Sequence, residues 1–152
     1  MTELARRAQK ISRECPGIRL RQASRVVAKI YDEALRPVGL QISQLPVLTA
    51  LAIFGEPGAT MNALARALVM DRTTLTRSVR PLEKAGLVRV ARSADDARVR
   101  VVLLTRSGER TLEAAFPLWE GATKRVRAAM GAASADDLHR RLEDVIAIRL
   151  GE

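Results

Sequence analysis

Apolar positions recur at helical spacing from Ile18 to Leu35, where Leu20, Ala23, Val27, Ile30, Tyr31 and Leu35 form one stripe. Pro37 and Gly39 close that helix. Ser43 is placed to cap a second helix, with Val47, Leu48, Leu51 and Ala52 facing inward, and Gly55 stops it. The following EPGAT is turn chemistry. Thr60 or Asn62 opens a third helix with Leu64, Ala65 and Leu68 as its apolar side. Asp71 is suited to cap a fourth, because its carboxylate can accept the free N–H of Thr73 or Thr74. That helix, predicted over residues 71–86, turns Leu75, Val79 and Leu82 inward and ends at Gly86.

Beyond Gly86 the period changes from helix to strand. Val88 and Val90 alternate with Arg89, and Val99, Val101 and Leu103 alternate with their neighbours, so a two-stranded hairpin with a charged loop is expected. Thr105 is predicted to cap a long helix with a seam through Leu112, Phe116, Trp119, Thr123, Val126 and Met130. Gly131 ends it. Ser134 with Asp137 resembles a capping box for a last helix, with Leu138, Leu142, Val145 and Ile148 inward. Residues 1–16 are polar and read as a loose or weakly helical arm. Pro81 and Pro117 fall inside predicted helices and should bend them without breaking them.

The fold class is therefore mainly α with a small antiparallel β-wing. A winged helix-turn-helix DNA-binding region over 39–105 is flanked by dimerisation helices over 1–38 and 106–152. The flanking helices carry more apolar surface than a small winged domain needs, and a second copy is its simplest use. A two-fold dimer would set two recognition helices one DNA turn apart, roughly 34 Å.

Charge supports a polyanionic partner. The 26 basic residues outnumber 17 acidic ones, for a formal net charge of +9. Between Arg66 and Arg100 nine basic residues stand against four acidic ones, so the excess is carried into the winged region. With Leu75, Val79 and Leu82 inward, Arg72, Thr73, Thr74, Thr76, Arg77 and Arg80 fall on or near the outward face of the 71–86 helix. Hydroxyls suit phosphates and base edges, and arginine forks onto guanine. The wing, over 92–100, contains Asp96 and Arg98, spaced so that Asp96 can hold Arg98 outward, at the minor groove. A solvated charged face and an ordinary hairpin turn are the bland readings of these two features.

Other chemistry is thinly represented. One cysteine, Cys15, excludes an intrachain disulfide, and one Cys with one His argues against a metal site or cofactor. There is no paired-carboxylate motif, no glycine-rich phosphate loop and no GxSxG, so an enzyme is not expected. Neither a secretory h-region nor a run of about 20 apolar residues is present, which leaves a cytoplasmic protein with no membrane partner as the expectation.

Three stretches together resemble the MarR family of transcriptional regulators. They are LRQASRVVAKIYDEALRPVGLQISQLPVLTAL, LARALVMDRTTLTRSVRPLEKAGLVRV and DDARVRVVLLTRSGE, in the family's order and across most of residues 19–110. The resemblance implies a homodimer, usually a repressor, on a palindromic operator of double-stranded DNA, with release by a small-molecule effector or an oxidant. By position Asp96 and Arg98 match the family's wing-tip pair, and Thr73, Thr74, Thr76 and Arg77 match its recognition-helix contacts. Some members sense peroxide through an N-terminal cysteine, which makes Cys15 a candidate redox sensor. Its flank lacks the usual aromatic neighbours, and an inert thiol is the reading that flank favours. The family's ligand cleft lies between the dimer helices and the winged domain, with Tyr31, Phe116 and Trp119 as candidates here. Plain core packing is the commoner role for Phe116 and Trp119. The alternative to sequence-specific control is a nonspecific or architectural DNA binder built on the same winged domain.

Overall fold

Twelve residues near the N-terminus, Glu3–Glu14, form a regular helix, α1, where the sequence pattern suggested a loose or weakly helical arm. In this computed structural model, which describes residues 1–93, 96 and 98–148, the cause is local chemistry. The Thr2 hydroxyl accepts the Ala5 N–H at 3.2 Å, Glu3 sits in the first turn and Arg13 in the last. Glu3 pairs with Arg7 one turn on. No residue of α1 is buried, so it has no core stripe for a periodicity argument to detect. Residues 94, 95 and 97 of the expected wing, and 149–152 of the expected terminal segment, lie outside the described residues.

Helix α2, Pro16–Leu35, begins two residues earlier than its apolar stripe, because Pro16 is tolerated in the first turn, where the backbone N–H needs no partner. A short 3₁₀ turn, Arg36–Val38, and Gly39 redirect the chain. Helix α3, Leu45–Phe54, is not capped by Ser43 as expected. The turn before it is held instead by the Asp32 carboxylate, which accepts the Ile42 N–H at 2.7 Å, and by Gln44, whose side chain accepts the Gln41 N–H at 2.8 Å. Val47, Leu48, Ala50 and Leu51 are buried, while Ala52, expected inward, is exposed.

Strand β1, Ala59–Thr60, occupies the segment that reads as a turn, and it adds a third strand to the wing. Strand β2 is Val88–Arg92 and β3 is Arg100–Leu104; the order is β1-β3-β2, all antiparallel. As the central strand, β3 has Val101, Val102 and Leu103 buried in a row, not in simple alternation. Thr60 also caps α4, Met61–Ala67, accepting the Ala63 N–H at 3.1 Å. Helix α5, Arg72–Lys84, runs unbroken through Pro81 and ends before Gly86, whose φ of +71° suits a residue without a side chain.

Thr105 ties these parts together. Its hydroxyl oxygen accepts the Gly108 N–H at 3.0 Å and donates to the Gly86 carbonyl at 2.7 Å. It thereby caps α6, Arg106–Met130, and fastens the end of α5 to the sheet. The buried residues of α6 are Gly108, Ala115 and Ala122, seven apart. The expected seam is displaced: Phe116 is 59% exposed and Met130 is exposed. Small residues let α6 approach α2, where Tyr31 and Thr123 share a hydrogen bond of 2.9 Å. Helix α7, Ala132–Ile146, follows Gly131 without a side-chain cap. Ser134 and Asp137 thus form no capping box; Ser134 lies within the helix, and Asp137 pairs with Arg140 and Arg141. Leu138, Val145 and Ile148, expected inward, are exposed in the single chain. The core lies among α2, α3, α4, α5 and the sheet, around Leu35, Leu48, Leu51, Leu64, Leu75, Leu82 and Val102. Among the described residues no helix is long and apolar enough to cross a membrane.

Candidate nucleic-acid interface

Helix α5 is fixed by one face and open on the other. Leu75 and Leu82 are 0% exposed and Val79 is 4% exposed, locking the rotation of the helix. Arg72, Thr73, Thr74, Thr76, Arg77 and Arg80 are all exposed. Its start is set by Asp71, whose carboxylate accepts the Thr74 N–H at 2.8 Å and the Thr74 hydroxyl at 2.6 Å. The Thr74 hydroxyl, followed by its N–H, holds the Asp71 carboxyl below its ordinary value.

The threonines are not equivalent. Thr76 donates its hydroxyl to the Arg72 carbonyl at 2.7 Å, and Thr74 donates to Asp71. Both have spent their proton on the helix itself, so they offer an oxygen acceptor and a methyl group to the outside. Thr73 makes no such bond among the described residues. It can therefore donate to a phosphate oxygen beside the helix N-terminus. Residue type alone does not separate these roles.

At the wing, the Arg98 guanidinium forks onto Asp96, with Nε donating to Oδ1 at 3.1 Å and a terminal nitrogen to Oδ2 at 3.1 Å. The Arg98 N–H also donates to Oδ1 at 2.9 Å. The Arg98 side chain remains 91% exposed, so the fork aims it without hiding it. The guanidinium hydrogen bond is the main reason that the Asp96 carboxyl lies below its ordinary value, with the backbone N–H second.

The strand register adds a pair that sequence reasoning did not single out. Arg92 stands directly opposite Arg100 across β2 and β3, and both are exposed. Like charges facing each other across a ladder repel, and an anion between them removes the repulsion. Both arginines are plain in the sequence, but only the register puts them face to face.

A cleft of about 1010 Å³ lies between α3 and α6, with Leu68 and Leu104 contributing from the winged side. Phe116 and Trp119 line it, their ring centroids 5.7 Å apart and their planes tilted by 37°. Phe116 is thus cleft wall and not core. Tyr31 does not line the cleft; its hydroxyl is held by Thr123. Cys15 is a half-buried free thiol at the junction of α1 and α2. His139 is exposed on α7, 3.3 Å from Glu143.

Residues 38–99 match the MarR family. An uncharacterised HTH-type transcriptional regulator of Bacillus subtilis, YwoH, is 34% identical over 94 residues, which cover 62% of this chain and 66% of YwoH. The chain thus spans about two thirds of that curated relative. The transcriptional regulator MosR of M. tuberculosis, solved in complex with DNA, is 36% identical with a TM-score of 0.74, covering 90% of this chain and all of that one. The transcriptional repressor CouR, bound to a 23-mer DNA duplex, is 28% identical with a TM-score of 0.77, covering 90% of this chain and 95% of that one. CouR from Rhodococcus jostii has also been solved bound to p-coumaroyl-CoA. These relatives are transcriptional regulators. A locked helix with an open arginine and threonine face, a wing beside it and these likenesses agree: the chain belongs to the MarR family of DNA-binding transcriptional regulators.

Proposed function

We propose that two copies of this chain form a homodimer in the cytoplasm that reads a palindromic operator and represses transcription until a small effector releases it. The outward face of α5, carrying Arg72, Thr73, Thr74, Thr76, Arg77 and Arg80 opposite a buried stripe, is the observation that carries this reading. In the major groove Arg77 and Arg80 fork onto guanine, and Thr76, its proton already donated, offers its methyl to thymine. Arg98, steadied by Asp96, reaches the minor groove, and the Arg92–Arg100 pair straddles a phosphate. Residues 39–105 make these contacts.

Segments 1–38 and 106–152 join the two copies. Support comes from apolar side chains left exposed on both, among them Leu4, Ile11 and Val26 at one end and Val145, Ile146 and Ile148 at the other. The α3–α6 cleft is where an effector acts, because it opens between α3 of the winged region and α6 of the 106–152 segment. Release by an oxidant instead would run through Cys15, and Cys15→Ser would then abolish release by an organic hydroperoxide.

Selection of bound sites from random duplex DNA tests the central reading. Two inverted half-sites one turn apart are expected, bound about 10³-fold or more tighter than bulk DNA at fixed salt. Enrichment of no sequence would establish an architectural binder instead.

A further inference from the structure

The α3–α6 cleft is apolar along most of its length. Leu45 and Ile53 form one wall, and Phe116 with Trp119 the other. Its charged lining residues are Glu109 and Glu113, one turn apart on α6. No lysine, arginine or histidine lines it, although the chain as a whole carries +9. Arg106 and Arg110, their neighbours along the helix, lie outside the lining. Among the described residues neither carboxylate has a cation within ion-pair distance.

We infer that this cleft takes a lipophilic cation: a protonated aromatic or alkyl amine, or a quaternary onium ion. The apolar walls displace part of a guest's hydration, although Glu109 and Glu113 are themselves exposed, so a guest whose charge is matched by the lining is favoured over one whose charge is not. A cation finds two carboxylates and two aromatic side chains, a ring type whose faces attract positive charge. An organic anion finds like charge and no basic partner. The inference rests on the effector reading above only for its consequence at DNA. Occupation would wedge α3, which belongs to the winged region, away from α6 and alter the separation of two recognition helices.

The test uses the full chain and two ions of nearly the same size and shape but opposite charge, tetraphenylphosphonium and tetraphenylborate. Trp119 is the chain's single tryptophan, so its fluorescence reports the cleft directly. The phosphonium should saturate this signal and bind about tenfold or more tighter than the borate. The double variant Glu109→Gln, Glu113→Gln should lose that preference while keeping its far-ultraviolet dichroism. Equal or tighter borate binding, unchanged phosphonium affinity in the double variant, or no saturation by either ion overturns the inference. The last result would also arise if a second copy's helix fills the cleft. Saturation without release of operator DNA upholds the inference and defeats the effector reading instead.

Discussion

Val69 holds a left-handed backbone, φ +52°, in the turn between α4 and α5. A β-branched side chain is disfavoured there, by about 1–3 kcal/mol. The turn imposes it: the Val69 N–H donates to the Arg66 carbonyl and the Met70 N–H to the Ala65 carbonyl at 2.9 Å, closing the end of α4. Since Val69 is exposed, Val69→Asn loses little packing and should raise the unfolding free energy by about 1 kcal/mol, read as a higher urea midpoint. An unchanged midpoint would mean that the turn is relaxed. Asp71 governs the other side of this turn. Its folded carboxyl lies below the ordinary 3.8, so its contribution to stability is complete above 3.8 and is lost as pH falls from there through the folded value. Compared with Asp71→Asn, which caps without titrating, the parent should keep a constant difference in melting temperature at neutral pH and lose ground on acidification. Arg98→Ala should weaken operator binding by about 1–3 kcal/mol with the dimer intact, measured by fluorescence anisotropy. Equal affinity would leave the wing without a role. The Asp71 cap and the Asp96–Arg98 fork were legible because each involves residues two or three apart. Val69 was not legible, since nothing in its own neighbourhood marks a left-handed site.

At the scale of elements, the closest approach is that of α6 to the sheet. A side chain at Gly108 would meet the Leu87 carbonyl oxygen and come within 2.7 Å of Leu104 Cδ1. The obstacle is backbone, which cannot swing aside. Gly108→Ala should therefore lower stability by about 1–3 kcal/mol and loosen the start of α6, seen as a lower denaturant midpoint and faster amide exchange around Thr105. A parent-like midpoint would show that α6 does not press on Leu87, the residue before β2. The same scale explains the misread elements. β1 is two residues long and carries no period; it exists because Ala59 and Thr60 pair with Val102 and Val101, over forty positions away. Helix α1 is the opposite case, a helix made by its cap and ion pairs with no buried face. On α6 the amphipathic stripe was visible, but burial fell on Ala115 and Ala122 of a helix against which both α2 and α3 pack.

For the whole molecule, the two terminal segments leave apolar side chains in water that a lone chain has no reason to expose. Val145 is 46% exposed, so Val145→Asp should change the fold of one chain by less than about 0.5 kcal/mol. In a dimer built on α7 it would bury an unpaired charge. Sedimentation at micromolar concentration should find the parent as a dimer and Val145→Asp as a folded monomer with weakened operator binding. A parent that sediments as one chain would remove the two-half-site geometry from which the palindrome follows.

What this sequence determined by itself is everything whose causes lie within a few residues. The caps at Thr60, Asp71 and Thr105, the buried stripe of Leu75, Val79 and Leu82, and hence the open face of α5 follow from helix geometry and local hydrogen bonds. The tertiary structure alone decided the third strand, the confrontation of Arg92 with Arg100, and the turning of Phe116 and two glutamates into a cleft. Those features depend on which distant segment arrives alongside, and a periodic pattern carries no record of its eventual neighbour.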